Sequence, residues 1–191
     1  TTFTIAAPAA PTVTITNTST DYLLSYSSAA GDFAIDHYEI RYGASWGAGT
    51  PITTTRGTTL QTLINWSGSR TFWVAAVDVA GNVGAAASAS LTITAPGAVA
   101  SLTPTVIDNN VLLKWTAPTV GTLPVDHYVL LEGATLGGAV TIGNKAGTFT
   151  SVFETVAGTY TYWLAAVDTA GNVGTYASVS AVVNQPPDYI L

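Results

Sequence analysis

The residues with the most chemical potential come in matched pairs. His37 stands between Asp36 and Tyr38, and His127 stands in the same setting between Asp126 and Tyr128. An Asp beside a His is the acid–base half of a nucleophilic triad, and imidazole is also a common metal ligand. Two histidines cannot fill a three-histidine site, however, and no Gly-x-Ser-x-Gly elbow accompanies them. Asp78 and Asn82 in "AAVDVAGNVGAA" (75–86), with Asp168 and Asn172 in "AAVDTAGNVGTY" (165–176), offer oxygens that a hard cation could use. No carboxylate cluster supports that reading, and the same residues suit a tight turn. The eleven acids are spread along strand ends and loops, so the two convergent carboxylates of a glycosidase are not indicated. "GASWGAG" at 43–49 has no helix behind it to cradle a phosphate. Its Trp46 could stack on a sugar or dock a partner, but the equivalent residue is Leu136, also apolar, which favours packing. These residues predict no catalytic group, no metal ligand and no cofactor.

The pairing itself is the strongest organisational signal. "DHYEIRYGASWGAG" at 36–49 precedes "DHYVLLEGATLGGA" at 126–139 by 90 residues, and the AVD motifs keep the same spacing. Upstream, Tyr26 pairs with Trp115 at a spacing of 89, so one loop differs by one residue. Two homologous domains are expected, residues 1–95 and 96–184, divided near "TAPGAVAS" at 94–101, with 185–191 as an exit linker. Periodicity within each half is two. "RTFWVAAVD" and "YTYWLAAVD" read as central strands, and Thr-rich runs such as "PITTT" and "SLTIT" add β-branched strand formers. The expected strands of the first half lie near 12–16, 21–27, 36–42, 50–55, 58–65, 70–78 and 83–94. Seven short strands per half, with no amphipathic helix, predict an all-β chain of two tandem seven-stranded immunoglobulin-like sandwiches. In "AVDxAGNVG" the chain turns between the last two strands, with Gly81 and Gly171 taking the positive φ of the reversal.

Composition narrows the partners. The chain is 48% hydrophobic and only 8% charged, with a net charge of −6 and no basic cluster, which excludes phosphate-neutralising nucleic-acid binding. A surface rich in hydroxyls and poor in charge predicts extensive contact with other protein. The absence of cysteine excludes disulfides and thiolate metal sites. No apolar run is long enough for membrane insertion by a helix, and "TTFTIAAPAAPTV" lacks the positive end of a signal peptide. With no Met at position 1, the chain is expected to be a piece of something longer.

The strand-B aromatics Tyr26 and Trp115, the "DHY" unit and the strand-F pattern ending in "AVDxAGN" resemble the fibronectin type III domain, twice over the whole chain. That resemblance implies a tyrosine corner at Tyr160, whose counterpart is Arg70, so the first corner must be stabilised differently. More narrowly, "YEIRYGASWGAGT" and the exit "NQPPDYIL" at 184–191 are similar to fibronectin-like repeats of tail-tip and central-fibre (J-like host-specificity) proteins of long-tailed bacteriophages. This implies a non-catalytic virion structural protein at the distal tail, near host recognition, contacting neighbouring tail proteins and other copies of itself in a homotrimer. The alternative is a spacer or adhesion module of a secreted or surface bacterial protein, such as a polysaccharide-degrading enzyme.

Alternation offers a candidate protein interface. If Tyr160, Tyr162, Leu164 and Ala166 face inward, then Trp163, Ala165 and Val167 face outward, joined by Val129 and Leu131 from strand C. An apolar outer face predicts a covering subunit or domain. The competing reading lays Trp163 flat on its own sheet under a loop of the same domain. The first half keeps Trp73, Ala75 and Val77 but places Glu39 and Arg41 beside them, predicting a wetter face.

Overall fold

The computed structural model describes residues 4–184. The chain divides into two compact units, Thr1–Ile93 and Thr94–Leu191. The described residues of the first hold β1 (Thr12–Asn17), β2 (Asp21–Ser27), β3 (Ile35–Tyr42), β4 (Thr50–Thr55), β5 (Thr59–Leu63), β6 (Gly68–Asp78) and β7 (Ala87–Ile93). Those of the second hold β8 (Ala100–Ile107), β9 (Asn110–Thr116), β10 (Val125–Glu132), β11 (Val140–Lys145), β12 (Phe149–Phe153), β13 (Gly158–Asp168) and β14 (Ala177–Val183), with a single 3-10 turn at Leu136–Gly138. Each unit is a sandwich of a three-stranded and a four-stranded antiparallel sheet, β1-β2-β5 with β4-β3-β6-β7 and β8-β9-β12 with β11-β10-β13-β14. The fourth strand of each unit pairs with the third, so the order differs from the ABED and CFG sheets of an immunoglobulin constant domain.

Period-two patterning explains the layers. In β2, "DYLLSYS" buries Tyr22, Leu24 and Tyr26 and turns Asp21, Leu23 and Ser25 to the other side. Tyr26 meets Tyr38 edge-on at 5.0 Å, and Trp115 meets Tyr128 edge-on at 5.3 Å, so the strand-B aromatics bridge the two sheets. The second core gathers Val111, Leu113 and Trp115 of β9 against Tyr128 and Leu130 of β10 and Tyr162 and Leu164 of β13. Each such side chain contributes about 1.5–3 kcal/mol on leaving water.

The seventh strand begins later than residue 83. Val83 makes only an isolated bridge to Val77, and Gly84 donates to Ala76 O at 2.9 Å. A Cβ on Gly84 would lie 2.3 Å from Pro8 O. The chain is thus pressed against the Pro8 backbone before it enters the regular ladder at Ala87.

The two corners are built from different chemistry. Tyr160 donates its hydroxyl to Val156 O at 2.7 Å, four residues upstream, fixing the entry to β13. In the first unit the Arg70 guanidinium lies over Trp66 (4.3 Å) and Tyr42 (4.8 Å) instead. Trp66, which also packs on Tyr22 (5.4 Å) and Phe72 (5.9 Å), is buried, whereas its counterpart Val156 is exposed. Tyr160→Phe is expected to cost about 1 kcal/mol, the worth of one net hydrogen bond. Calorimetry should then show one transition falling by roughly 5 °C and the other unmoved, and an unchanged midpoint would remove the corner from the stability argument.

Candidate functional site

The hairpin motif resolves into a carboxylate filled by donors. Asp78 Oδ1 accepts from the N–H groups of Ala80 (2.9 Å) and Asn82 (2.8 Å), and Oδ2 accepts from Asn82 Nδ2 (2.9 Å). Asp168 repeats the arrangement with Ala170 and Asn172 at 2.9, 2.9 and 3.0 Å. Gly81 and Gly171, at φ 85° and 83°, supply the left-handed residue of each reversal. Burial is the largest single influence on Asp78 and pushes its carboxyl up, but the bonds from Asn82, Ala80 and Gly81 together hold it below the ordinary carboxylate value. Lone pairs already occupied by N–H groups are not available to a cation, so this motif organises backbone.

The histidines are held by their neighbours. His37 Nδ1 lies 2.9 Å from Asp36 Oδ2, and His127 Nδ1 lies 2.8 Å from Asp126 Oδ2. Asp36 also accepts from Arg56 Nη2 at 2.7 Å and Nε at 3.2 Å. The bond from Arg56, then that from His37, keeps the Asp36 carboxyl below its usual range. Ala146 stands where Arg56 does in the first unit, so the second lacks this network. In the loop that follows β3, Trp46 lies under the Arg41 guanidinium at 4.1 Å, whereas Leu136 is 39% exposed.

The candidate interface is partly covered from within its own unit. Val129 pairs with Ala165 and Leu131 with Trp163, which puts all four on one sheet face, with Val167 continuing it. Trp163 donates its indole N–H to Gly133 O at 2.9 Å, which lays the ring towards the β10–β11 connection. Ala165 and Val167 are buried, and Val129, Leu131 and Trp163 are half-buried, with no second chain present. Trp73 makes the same bond to Gly43 O at 2.9 Å, where Arg41 and Glu39 pair at 3.0 Å beside it.

Two features escape a linear reading. In the second core, Tyr162 donates to Glu154 Oε1 at 2.5 Å, both side chains buried. Burial first, and then the bond to Glu154, push the Tyr162 hydroxyl far above its ordinary pKa and keep it a donor. The equivalent first-unit residues, Phe72 and Ile64, are apolar. The other feature is the outer face of β8-β9-β12, where Phe149 and Phe153 are 66% and 64% exposed. Register places Phe149 beside Lys114, Ser151 beside Leu112 and Phe153 beside Asn110, with Ile107 beyond. At these positions of β5 the first unit carries Thr59 and an exposed Leu63, and Gln61 between them donates to Asp21 at 2.9 Å. A sequence signal existed in "FTSVF": two aromatics four residues apart on a period-two strand share a face.

No protein-family model matches the chain. The chain is similar to Exoglucanase B of Cellulomonas fimi, at 31% identity over 192 residues, covering 95% of this chain and 17% of that protein. Among solved structures, a two-domain fibronectin type III segment of chicken tenascin covers 93% of this chain and all of its own, at 18% identity and a TM-score of 0.43. The FN1–FN3 domains of chicken CNTN1 cover 94% of this chain and 68% of their own, at 12% identity and the same TM-score. The strand order, with β4 on β3 and β11 on β10, and the Tyr160 bond make the fold a tandem pair of seven-stranded immunoglobulin-like sandwiches of the fibronectin type III kind.

Proposed function

We propose that the chain is a non-catalytic accessory module of an extracellular bacterial enzyme that degrades a polysaccharide. The observation that carries this reading is the likeness to Exoglucanase B, which runs through both sandwiches while spanning only 17% of that protein. A tandem pair that is a minor part of a longer hydrolase suits a spacer. Strands of up to eleven residues make each sandwich about 35 Å long, enough to hold flanking domains apart. The carboxylates and imidazoles described above are engaged in turns, ion pairs and a core hydrogen bond, which is what a module without chemistry of its own requires. The likeness supports this reading over the virion segment. The exit motif that suggested the virion lies outside the described residues except for Asn184.

The test is removal of residues 1–184 from the full-length parent protein. Hydrolysis of an insoluble glucan should fall several-fold while hydrolysis of a soluble oligosaccharide stays unchanged. A parent with no glycoside hydrolase activity would overturn the reading.

A further inference from the structure

We infer that the outer face of β8-β9-β12 is a contact surface for a neutral, β-linked glucan, with Phe149 and Phe153 as its stacking platforms. The inference rests on the accessory-module reading and goes beyond spacing, because it gives the second sandwich direct contact with the polymer.

Both rings are about two-thirds exposed, so neither is spent on the core. At the homologous positions the first unit carries the hydroxyl of Thr59 and an aliphatic Leu63 that is 68% exposed, with Gln61 bonded to Asp21 between them, so what sets the second unit apart is an aromatic ring at both positions. Their positions on one strand put the two Cα atoms about 13 Å apart on the same side. Sugars in a β-linked glucan present flat C–H faces with hydroxyls around the rim, and a phenyl face, electron-rich at its centre, takes C–H groups by stacking. Phe brings no polar handle, so the hydroxyls need neighbours, and Ser151, Asn110 and Lys114 lie beside the rings in register.

Size and charge select the occupant. Three strands about 4.8 Å apart, of eight, seven and five residues, make a face of about 320 Å², well below the roughly 800 Å² per partner of a stable protein interface. A linear polymer, which gains avidity by touching many modules, does not need that area. The outward residues of these strands carry one charge, Lys114, and no carboxylate, which fits a neutral ligand.

The experiment mixes the 191-residue chain with microcrystalline cellulose and measures protein left in solution, beside Phe149→Ser/Phe153→Ser and a starch-granule control. The wild-type chain should bind cellulose in a salt-insensitive manner, and the double variant should bind about tenfold less. Because both side chains are exposed, the variant should keep its melting profile, which a thermal scan checks. Equal partitioning of the two proteins, no binding by either, or equal capture by starch would overturn the inference. So would a concentration-dependent dimer, seen by sedimentation, that the double variant abolishes. If the wild type fails to bind while the parent proves to be a glucan hydrolase, the accessory reading survives and only this surface is lost. If binding follows the phenylalanines but the parent has no hydrolase activity, the surface survives and the enzyme reading is lost.

Discussion

Tyr162→Phe should lower the stability of the second sandwich by about 3 kcal/mol, and adding Glu154→Ile should restore most of it. The single change removes the donor 2.5 Å from Glu154 Oε1 and leaves a carboxylate that is 7% exposed without its partner. Glu132 adds to the cost. Burial, and then the charge of Glu154, raise its pKa, so the two acids already oppose one another. The double change recreates the apolar pair of Ile64 and Phe72, which the same backbone accommodates in the first unit. Urea titration of the four proteins in a double-mutant cycle reads the coupling directly. A Tyr162→Phe variant within about 0.5 kcal/mol of wild type would show that the pair carries no stability.

Gly121→Ala should be comparably damaging for a steric reason. A Cβ on Gly121 would lie 2.1 Å from Thr94 O and 2.6 Å from Ala95 O, both backbone atoms that no rotamer change can withdraw. The same segment is clipped in place by Thr122 N–H to Thr94 O (3.0 Å) and by Thr94 N–H to Thr122 Oγ1 (2.9 Å). Relieving the clash therefore breaks the clip, and a loss of about 3 kcal/mol is expected. Gly31 faces Ala6 O at the same 2.1 Å, so Gly31→Ala should do the same to the first unit. Gly147, whose Cβ would meet nothing within 4 Å, is the control, with a change within about 0.5 kcal/mol. Equal midpoints for Gly121→Ala and Gly147→Ala would refute the packing argument.

The strands were readable because alternation and repetition point the same way. β2, β4 and the ends of β3 and β6 fall within a residue or two of their expected places, since burial on one face forces period two. Residues 83–86 were not, because what bends them is a backbone approach from Pro8, distant in sequence. The exchange of Tyr160 for Arg70 was visible as a substitution, but not that Arg70 would lie over both Trp66 and Tyr42. Glu154 reads as a surface acid, and only the fold brings Tyr162 against it. Phe149 and Phe153 have no place in the sequence reading, and register is what shows them turned outward, while Ala165 and Val167 lie on the expected sheet face and are buried.

The contrast between the Tyr162–Glu154 core and the Phe72–Ile64 core also bears on how the chain avoids misassembly during folding. Neighbouring repeats of like sequence invite strand exchange, in which β6 and β13 trade places. Such a hybrid would seal the Tyr162 hydroxyl against Ile64 in one sandwich and the Glu154 carboxylate against Phe72 in the other. Two orphaned polar groups, at about 1–3 kcal/mol each, would disfavour the mispaired product, so the divergence of these interiors favours correct pairing of each strand with its own unit.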